Sequence, residues 1–468
     1  MQQPNFVFIL MDDMGWRDIG CYGSTFYETP NIDRLAEQGM RFTDGYASCP
    51  VCSPTRASIM TGKYPANVGV TDWIDWGGFT HPARGRLIDA PYIDHLPLEE
   101  KSLAAALKDA GYATWYIGKW HLGGEDYWPD KHGFDVNIGG CDWGLPCNGY
   151  FSPWENPAME DVEEEGKYLP DHLTDKAIEL IKGNDDQPFF LDLSFYCVHG
   201  PIQAKEEYTR EYEEKVRREG LDKVKTFEEG EKFPCEHKKD RRIRRRLVQS
   251  DPEYAAMIQS VDENVGRLME ALEDAGEADN TVIVFTSDNG GLATAEGSPT
   301  CNSPLAEGKG WMYDGGVREP LIVCWPGVTE PGSTCDVPVT SPDFYPTFLD
   351  MAGLDPLPDQ HEDGESIVPL LKGSDELQRD AIFWHYPHYG NQGGTPGSSV
   401  RAGDYKLIEF FEDGRLELYN LREDISEENN LAEEEPQITE RLHGMLVDWR
   451  EEMEAKIPRE NPEYEPWD

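Results

Sequence analysis

Short apolar runs alternate with amphipathic segments along most of the chain, and this alternation limits the possible folds more than any other feature. Near-continuous apolar runs of strand length predict strands that are covered on both faces. They are "NFVFILMDDMG", "YATWYIGKWHLGG", "PFFLDLSFYCVHGP", "TVIVFTSDNGG" and "PLIVCWPG". The segments between them predict helices that end near a glycine, such as "TPNIDRLAEQG" and "EKSLAAALKDAG". We therefore expect an α/β fold with a large mixed or parallel sheet sandwiched by helices.

The pattern changes after about residue 370. "VRAGDYKLIEFFEDGRLELYNL" predicts two antiparallel strands with Asp413 and Gly414 at the turn. A following helix places five apolar residues on one face: Ile438, Leu442, Met445, Trp449 and Met453. We expect a large α/β domain at 1–370 and a smaller C-terminal α+β subdomain with an antiparallel sheet at 371–468.

Residues 203–250 interrupt the alternation with charge-dense sequence, and we expect them to form an exposed insertion. "HKKDRRIRRRL" could indicate nucleic-acid binding, but a solvated helix face is the better interpretation in so acidic a protein.

The formal net charge of -48 disfavours nucleic acid and anionic membranes as partners, because both carry the same sign. Two interpretations of this charge stay open: adaptation to high salt, where screening shortens electrostatic range, and an ordinary soluble acidic protein.

No apolar run approaches the length of a membrane span, which is about 18 residues. The chain enters a strand without a leader pattern, which predicts a cytoplasmic protein, or a periplasmic or secreted one if a signal peptide has been removed. The oligomeric state is not predicted.

Acidic and amide side chains follow two of the predicted strands. Asp12 and Asp13 come directly after the first strand, and Asp288 and Asn289 follow "TVIVFTS". Ligands in open α/β sheets bind outside the carboxyl ends of the strands. Four oxygen donors at one such edge predict a calcium site, although any single pair of this kind more often caps a turn.

Basic residues are expected at the same edge. Lys119 and His121 end the "YATWYIG" strand, His199 follows "LSFYCV", and Lys309 lies in a glycine-rich loop. Together with a cation, these groups would form an anion-binding site that also carries acid–base groups.

Cys49 and Cys52 form a C-x-x-C pair, which raises the possibility of a zinc or redox site. A zinc site needs a second pair, and none with this spacing exists. A thioredoxin-like site would leave the carboxylates and lysines unused. Pro54 fits the first turn of a helix, so Cys52 lies near a helix N-terminus, where negative charge is stabilised, and Arg56 can face the same side. We expect most of the ten cysteines to be free and buried.

The segment from Cys52 to Arg56 matches the C-x-P-x-R signature of type I, formylglycine-dependent sulfatases. "MDDMGWRDIGCYG", "GKWHLG", "SDNGG" and "GKGWMYDGGVREP" are similar to the other blocks of that family, in the same order. The chain thus resembles arylsulfatase-like members of the alkaline phosphatase superfamily over roughly residues 4–455. The resemblance implies an alkaline-phosphatase-like fold and a hydrolase of sulfate monoesters.

The resemblance also implies that a formylglycine-generating maturation enzyme oxidises Cys52 to an aldehyde, which hydrates to a gem-diol. One hydroxyl attacks sulfur to give a sulfo-enzyme intermediate, and the other later expels sulfate. Cys49 has no role in this chemistry.

The family pattern assigns roles to the other site residues. One calcium ion would be bound by formylglycine at position 52 and by four other residues: Asp12, Asp13, Asp288 and Asn289. Arg56 would orient the hydrate, and Lys119 and Lys309 would neutralise the sulfate oxygens. His199 would protonate the leaving alcohol, and His121 would assist deprotonation.

Two alternatives stay open: a related phosphonate or phosphate monoester hydrolase, and a non-catalytic calcium-binding protein on the same scaffold. We expect the substrate to be a sulfated sugar or short oligosaccharide, because the negative shell repels a long polysulfated polymer. Aromatic residues that could stack on a sugar are Trp73, Trp76, His81 and Trp143. In the C-terminal part, the candidate substrate-binding residues are His385, His388 and Arg401.

Overall fold

The computed structural model of the protein describes residues 3–75, 83–185 and 187–466, so Trp76 and His81 lie outside the described residues. The strands are β1 (Asn5–Met11), β2 (Met40–Tyr46), β3 (Leu87–Ile88), β4 (Ala113–Gly118), β5 (Val136–Ile138), β6 (Phe189–Ser194), β7 (Phe227–Lys232), β8 (Arg242–Arg246), β9 (Thr281–Ser287), β10 (Arg318–Cys324), β11 (Ser333–Cys335), β12 (Val339–Thr340), β13 (Ile382–Tyr386), β14 (Gly397–Ala402), β15 (Tyr405–Phe410), β16 (Arg415–Asn420) and β17 (Arg459–Glu460). The α-helices are α1 (Pro30–Gln38), α2 (Cys52–Thr61), α3 (Pro65–Val68), α4 (Leu103–Asp109), α5 (Leu169–Lys182), α6 (Glu206–Glu219), α7 (Pro252–Ala275), α8 (Asp314–Val317), α9 (Phe344–Met351), α10 (Val368–Leu371) and α11 (Pro436–Glu452).

The main sheet has nine strands in the order β11-β2-β10-β9-β1-β6-β4-β5, with β12 paired to β2. Strands β5, β4, β6, β1 and β9 are parallel, and β10 is antiparallel to both of its neighbours, β9 and β2. The sheet is therefore mixed, as the sequence predicted. The parallel strands bring their carboxyl ends to one edge.

Strand β1 is buried along its whole length because helices cover both faces of the sheet. Val7, Ile9 and Met11 belong to a core that also contains residues of α1, α5 and α7. Phe6 and Phe8 point into the opposite core, which is built with α4, α9 and α10. This two-faced burial explains why the strand reads as an uninterrupted apolar run.

The C-terminal part forms a second, four-stranded antiparallel sheet in the order β13-β14-β15-β16. Gly414 has a φ of 71° in the turn between β15 and β16, as the Asp-Gly pair predicted. Leu442, Leu446 and Trp449 of α11 are buried in one cluster with Val400 of β14 and Leu407 of β15.

The insertion differs from expectation in one respect. Helix α6 packs on α7, but the arginine run forms β8, which pairs with β7 in an antiparallel hairpin. The interpretation of this run as a helix face is wrong, because Ile243 is completely buried between exposed Arg242 and Arg244, which is the alternation of a strand.

All ten cysteines are free thiols, and eight of them are buried, as expected. Within the described ranges, no helix combines the length and apolar character that a membrane-spanning segment requires.

Candidate active site

The register of the parallel strands determines where the acidic residues meet. Met11 of β1 pairs with Ser287 of β9, so Asp12 and Asp288 leave the sheet side by side. The backbone N–H of Asp13 donates to Asp288 Oδ1 at 3.3 Å, and Asn289 Nδ2 donates to Asp13 Oδ1 at 2.8 Å. All four side chains are buried. The structure therefore brings together the acidic residues that the sequence placed on two separate strand ends.

Two lysines pair with the two aspartates that follow β1, although burial still raises the pKa of Asp12 to about 8. Lys119 Nζ lies 2.8 and 2.9 Å from the oxygens of Asp12, and Lys309 Nζ lies 2.6 Å from Asp13 Oδ1. Burial alone would raise the pKa of Asp13, but the Lys309 ammonium and His199 outweigh it and hold that pKa below its ordinary value. Asp13 is therefore a carboxylate at neutral pH.

The residues at this edge fit a hard cation. One ligand atom from each of Asp12, Asp13 and His199 lies within 4.8 Å of the others. In the described part of the chain, the buried Oδ1 of Asn289 has no hydrogen-bond partner, and an oxygen left without one is costly unless a cation or water binds it. The three aspartates and Asn289 offer oxygen donors, which Ca²⁺ prefers, whereas the imidazole nitrogen of His199 is not such a ligand.

Cys52 begins α2 and lies at the floor of the same edge. Its Sγ is 3.2 Å from Nδ1 of His121, and Nε2 of His121 lies 2.7 Å from the carbonyl oxygen of Ile74. The carbonyl can only accept, so Nε2 carries the hydrogen and Nδ1 is left as the acceptor that faces Cys52. The sequence did not indicate Ile74, because the contact is made by its backbone.

The thiols of the C-x-x-C pair are not poised for redox chemistry. Burial raises the pKa of Cys52, although Lys119 and Lys309 oppose this, and burial raises the pKa of Cys49 well above its ordinary value. Reactive redox cysteines have a lowered pKa. The two residues also form no disulfide.

Arg56 connects α2 to two of the strand ends. Its Nε donates to Asp288 Oδ2 at 2.8 Å and its Nη1 donates to the carbonyl oxygen of Lys119 at 2.6 Å. Its side chain is 3% exposed, so this guanidinium is a fixed part of the site. Because two of its donors are used in this way, Arg56 holds α2 in register with β4 and β9.

His199 follows β6 and faces the acidic edge from the other side. Its Nδ1 donates to the carbonyl oxygen of Gly200 at 2.9 Å, and its Nε2 is 3.7 Å from Asp13 Oδ2. Burial and the charge of Lys309 lower the pKa of His199 to about 3. Nε2 is therefore the atom of this ring that can exchange a proton with a ligand.

A cavity of about 260 Å³ opens above these groups. Four predicted catalytic residues line it, namely Cys52, His121, His199 and Lys309, together with the predicted substrate residue Trp73. The sequence did not single out the other lining residues, which are Gly144, Leu145, Glu296, Asn391 and Gln392. Lys119 has no exposed surface and lies beneath the lining with Asp12. The only sequence signal for Asn391 and Gln392 was their place in a loop-rich segment.

Among the predicted substrate residues that the structure describes, Trp73 lines this cavity and Trp143 does not. His385 contacts Ser398 Oγ at 2.6 Å and the carbonyl oxygen of Lys456 at 2.9 Å. His388 lies 3.7 Å from Asp72 and from Asp89, and both histidines are buried.

Arg401 also contacts the protein itself, because its Nη1 lies 2.6 Å from Asp44 Oδ1 in an ion pair. The expectation that His385, His388 and Arg401 line the substrate pocket is therefore corrected: these three residues are buried and contact the protein itself.

A sulfatase family profile matches residues 4–354, which is most of the chain. The chain belongs to the sulfatase family. A second profile, the C-terminal region of N-sulphoglucosamine sulphohydrolase, matches residues 307–452. As a member of this family, the protein is a hydrolase of sulfate monoesters, and its fold is that of the class.

Individual relatives agree with this assignment. The chain is 34% identical to a sulfatase of Formosa agariphila, over 93% of this chain and 85% of the relative. It is 32% identical to human N-acetylgalactosamine-6-sulfatase, over 82% of this chain and 68% of the relative. The crystal structure of Ps i-CgsB in complex with k-i-k-neocarrahexaose matches with a TM-score of 0.76 and 29% identity, covering 96% of this chain and 93% of that one.

Sulfatases typically use a formylglycine and a metal ion, and the acidic group at the ends of β1 and β9 agrees with the second requirement.

Proposed function

We propose that this sulfatase releases sulfate from a sulfated carbohydrate, with residue 52 as the nucleophile after Cys52 has been converted to formylglycine. The observation that supports it most is the convergence of Cys52, His121, His199 and Lys309 in one cavity. These groups come from four different parts of the chain and would serve no common purpose in a binding protein. When present, the formylglycine hydrate supplies one hydroxyl as nucleophile and a second that allows sulfate to leave.

One calcium ion is the proposed metal, held by position 52 and by Asp12, Asp13, Asp288 and Asn289. Each of the three aspartates also pairs with a cation: Asp12 with Lys119, Asp13 with Lys309 and Asp288 with Arg56. When bound, the ion would supply positive charge that polarises the sulfate oxygens. This added charge would make the site attractive to a sulfate ester.

His121 and Arg56 prepare position 52. The Ile74 carbonyl holds His121 with Nδ1 toward residue 52, so Nδ1 is the atom that would take a proton from a hydroxyl there. Burial and Lys119 keep the pKa of His121 well below its ordinary value, so the ring is neutral and ready to accept. Arg56 fixes the helix on which residue 52 lies.

Lys309 and His199 would act on the sulfate group and on the leaving alcohol. Lys309 lines the cavity and presents a fixed ammonium to the sulfate oxygens, where charge develops in the transition state. Burial and Lys309 keep His199 neutral in the free site, so its Nε2 would have to take up a proton as the sulfate group binds before delivering one to the departing sugar oxygen. Lys119 supports this arrangement from below through Asp12.

A carbohydrate is the proposed leaving group. Two of the relatives act on or bind sulfated sugars according to their names, and Trp73 offers a flat face in the cavity wall on which a sugar ring could stack. We further propose that residues 1–370 carry the catalytic groups and that residues 371–468 shape the cavity, since Asn391 and Gln392 line it.

The test is sulfate release by the purified protein from a panel of monosulfated sugars. 4-Nitrophenyl sulfate, 4-nitrophenyl phosphate and a phosphonate monoester are measured in parallel. We expect turnover of at least one sulfated sugar and much slower turnover of the phosphorus esters. Faster phosphorus-ester turnover would favour a phosphonate or phosphate hydrolase, and no turnover with an unmodified Cys52 peptide by mass spectrometry would favour a binding protein.

A further inference from the structure

The hairpin formed by β7 and β8 carries the opposite charge to the rest of the protein. Residues 227–246 contain eight Lys and Arg against five Asp and Glu, in a chain of net charge -48. In a protein whose surface is otherwise negative, such a segment creates a local positive potential that can attract an anion.

The tip of this hairpin lies against the lining of the active-site cavity. His237 Nε2 is 2.9 Å from Asn391 Oδ1, and Lys238 Nζ donates to the carbonyl oxygen of Asn391 at 2.6 Å. The backbone N–H of Arg244 donates to the carbonyl oxygen of Thr294. The hydroxyl of Thr294 donates to the carbonyl oxygen of Gln392. Asn391 and Gln392 both line the cavity, so the positive hairpin borders the substrate pocket.

The positive charges of the hairpin fall into two groups. Arg245 pairs with Glu231 and Glu307, and Arg246 pairs with Asp251, so these two arginines stabilise the fold. Lys238 and Arg241 belong to the second group, together with Arg242 and Arg244, because no carboxylate in the described part of the chain forms an ion pair with any of these four. Ion pairs within the fold therefore explain only some of the positive residues in this hairpin.

Of Lys238 and Arg241, Lys238 is the one that directly contacts a residue of the cavity lining. The Lys238 side chain is half-buried; its ammonium lies 5.3 Å from the centroid of the Phe233 ring and donates to the carbonyl oxygen of Asn391. Burial lowers its pKa, and the nearby charge of Arg241 lowers it further, while Glu296 partly compensates. A desolvated ammonium with one neutral acceptor, beside a second cation, is a favourable position for an anion.

We propose that Lys238 and Arg241 form a second anion subsite next to the cavity, which binds a sulfate group on the sugar adjacent to the one being desulfated. This inference rests on the proposed carbohydrate sulfatase function and specifies its substrate as a short oligosaccharide with sulfates on neighbouring sugars. The negative shell still opposes a long polyanion, whereas a single additional sulfate meets a local positive charge.

The test measures binding, so that it does not depend on turnover. Lys238→Gln and Arg241→Gln are each introduced into a Cys52→Ser protein, and Lys223→Gln serves as a matched control. Lys223 is an exposed lysine in the same insertion, and its replacement removes the same charge. Calorimetry compares pairs of disaccharides from carrageenan and chondroitin sulfate that differ only by the sulfate on the second sugar.

With Cys52→Ser alone and with the Lys223→Gln control, we expect the disulfated member of at least one pair to bind about tenfold more tightly than the monosulfated member. This ratio should fall to near one with Lys238→Gln, while binding of the monosulfated member changes less than about twofold. Arg241 is exposed, so Arg241→Gln gives the same comparison even if the variant at 238 does not fold.

Equal ratios in the Lys238, Arg241 and Lys223 variants for every pair, or no binding of any pair, would overturn the subsite. Failure of the proposed function is a separate result: the wild-type protein would release no sulfate from any sugar, whatever the binding ratios are.

Discussion

Sγ of Cys52 lies 3.2 Å from Nδ1 of His121, although the two residues are 69 positions apart in the chain. The contact exists because α2 begins at Cys52 and β4 ends three residues before His121, and both meet at the carboxyl edge of the sheet. It places a proton acceptor directly beside the residue that the family signature marks for modification.

The first prediction concerns the nucleophile. Cys52→Ala and Cys52→Ser should each lower sulfate release by about 10⁴-fold or more, because the groups of such a site act as a unit. Cys49→Ala is the matched control and should leave turnover unchanged, since the family chemistry gives Cys49 no role. Turnover is measured on protein co-expressed with a formylglycine-generating enzyme. Full activity of Cys52→Ala would contradict the proposal.

The second prediction concerns the metal. Exhaustive chelation should abolish most activity, and added Ca²⁺ should restore it, because the ion polarises the sulfate group. Asp12→Ala and Asp288→Ala should lose both activity and bound calcium. Asp359→Ala, at an exposed position, should change neither. Elemental analysis and turnover are the measurements, and a metal-free protein that works at the full rate would rule out the site.

The third prediction concerns the proton donor. His199→Gln should lower turnover of sulfated sugars by about 10²–10⁴-fold, because a sugar alcohol must be protonated as it leaves. It should lower turnover of 4-nitrophenyl sulfate much less, since nitrophenolate leaves without a proton. The ratio of kcat values for the two substrates is the measurement. Equal losses on both would show that His199 acts in another way.

The fourth prediction concerns pH and stability. Burial alone would lower the pKa of His388, but the carboxylates of Asp72 and Asp89 outweigh it and raise that pKa. A raised pKa in the folded state means that the stabilising contribution is complete below the ordinary histidine pKa of about 6.5 and is lost as pH rises through the folded value.

His388→Gln should therefore destabilise the protein by about 3 kcal/mol or more at mildly acidic pH, because two buried carboxylates lose their cation. The difference from wild type should shrink at alkaline pH. Denaturant unfolding at both pH values measures it, with His95→Gln, at a partly exposed histidine, as the control. A difference that grows with pH would contradict the assigned sign.

The fifth prediction concerns the net charge of -48. Added salt should raise kcat/KM for a long sulfated polymer more than for 4-nitrophenyl sulfate, because screening relieves the larger repulsion. For a disulfated disaccharide, salt should instead reduce the preference over its monosulfated counterpart, since it screens the attraction of Lys238 and Arg241. A salt titration with the three substrates checks both signs. Polymer turnover that is highest at low salt would contradict the repulsion.

The amino-acid sequence was enough to predict the fold class, and it also predicted which residues meet at the carboxyl edge of the sheet. Apolar runs such as β1 and β9 could be read as strands because burial on both faces removes polar residues from them. The residues after those strands could be assigned to one site, because parallel strands end at the same edge of a sheet. The signature around Cys52 identified the family for a related reason, since its chemistry needs particular side chains at short and fixed spacing.

The tertiary structure alone decided the surroundings of that edge. His388 and Arg401 are residue types that often bind anionic ligands. Only the tertiary structure shows that His388 lies beside Asp72 and Asp89 and that Arg401 pairs with Asp44. The arginine run was wrongly predicted to be a helix face because nearly all of its residues are charged, which hides the alternation of buried and exposed positions in a strand. The burial of Ile243 shows that alternation. The contact of Lys238 with Asn391 joins residues 153 positions apart. Such long-range contacts depend on how separately formed elements pack, which local sequence pattern does not encode.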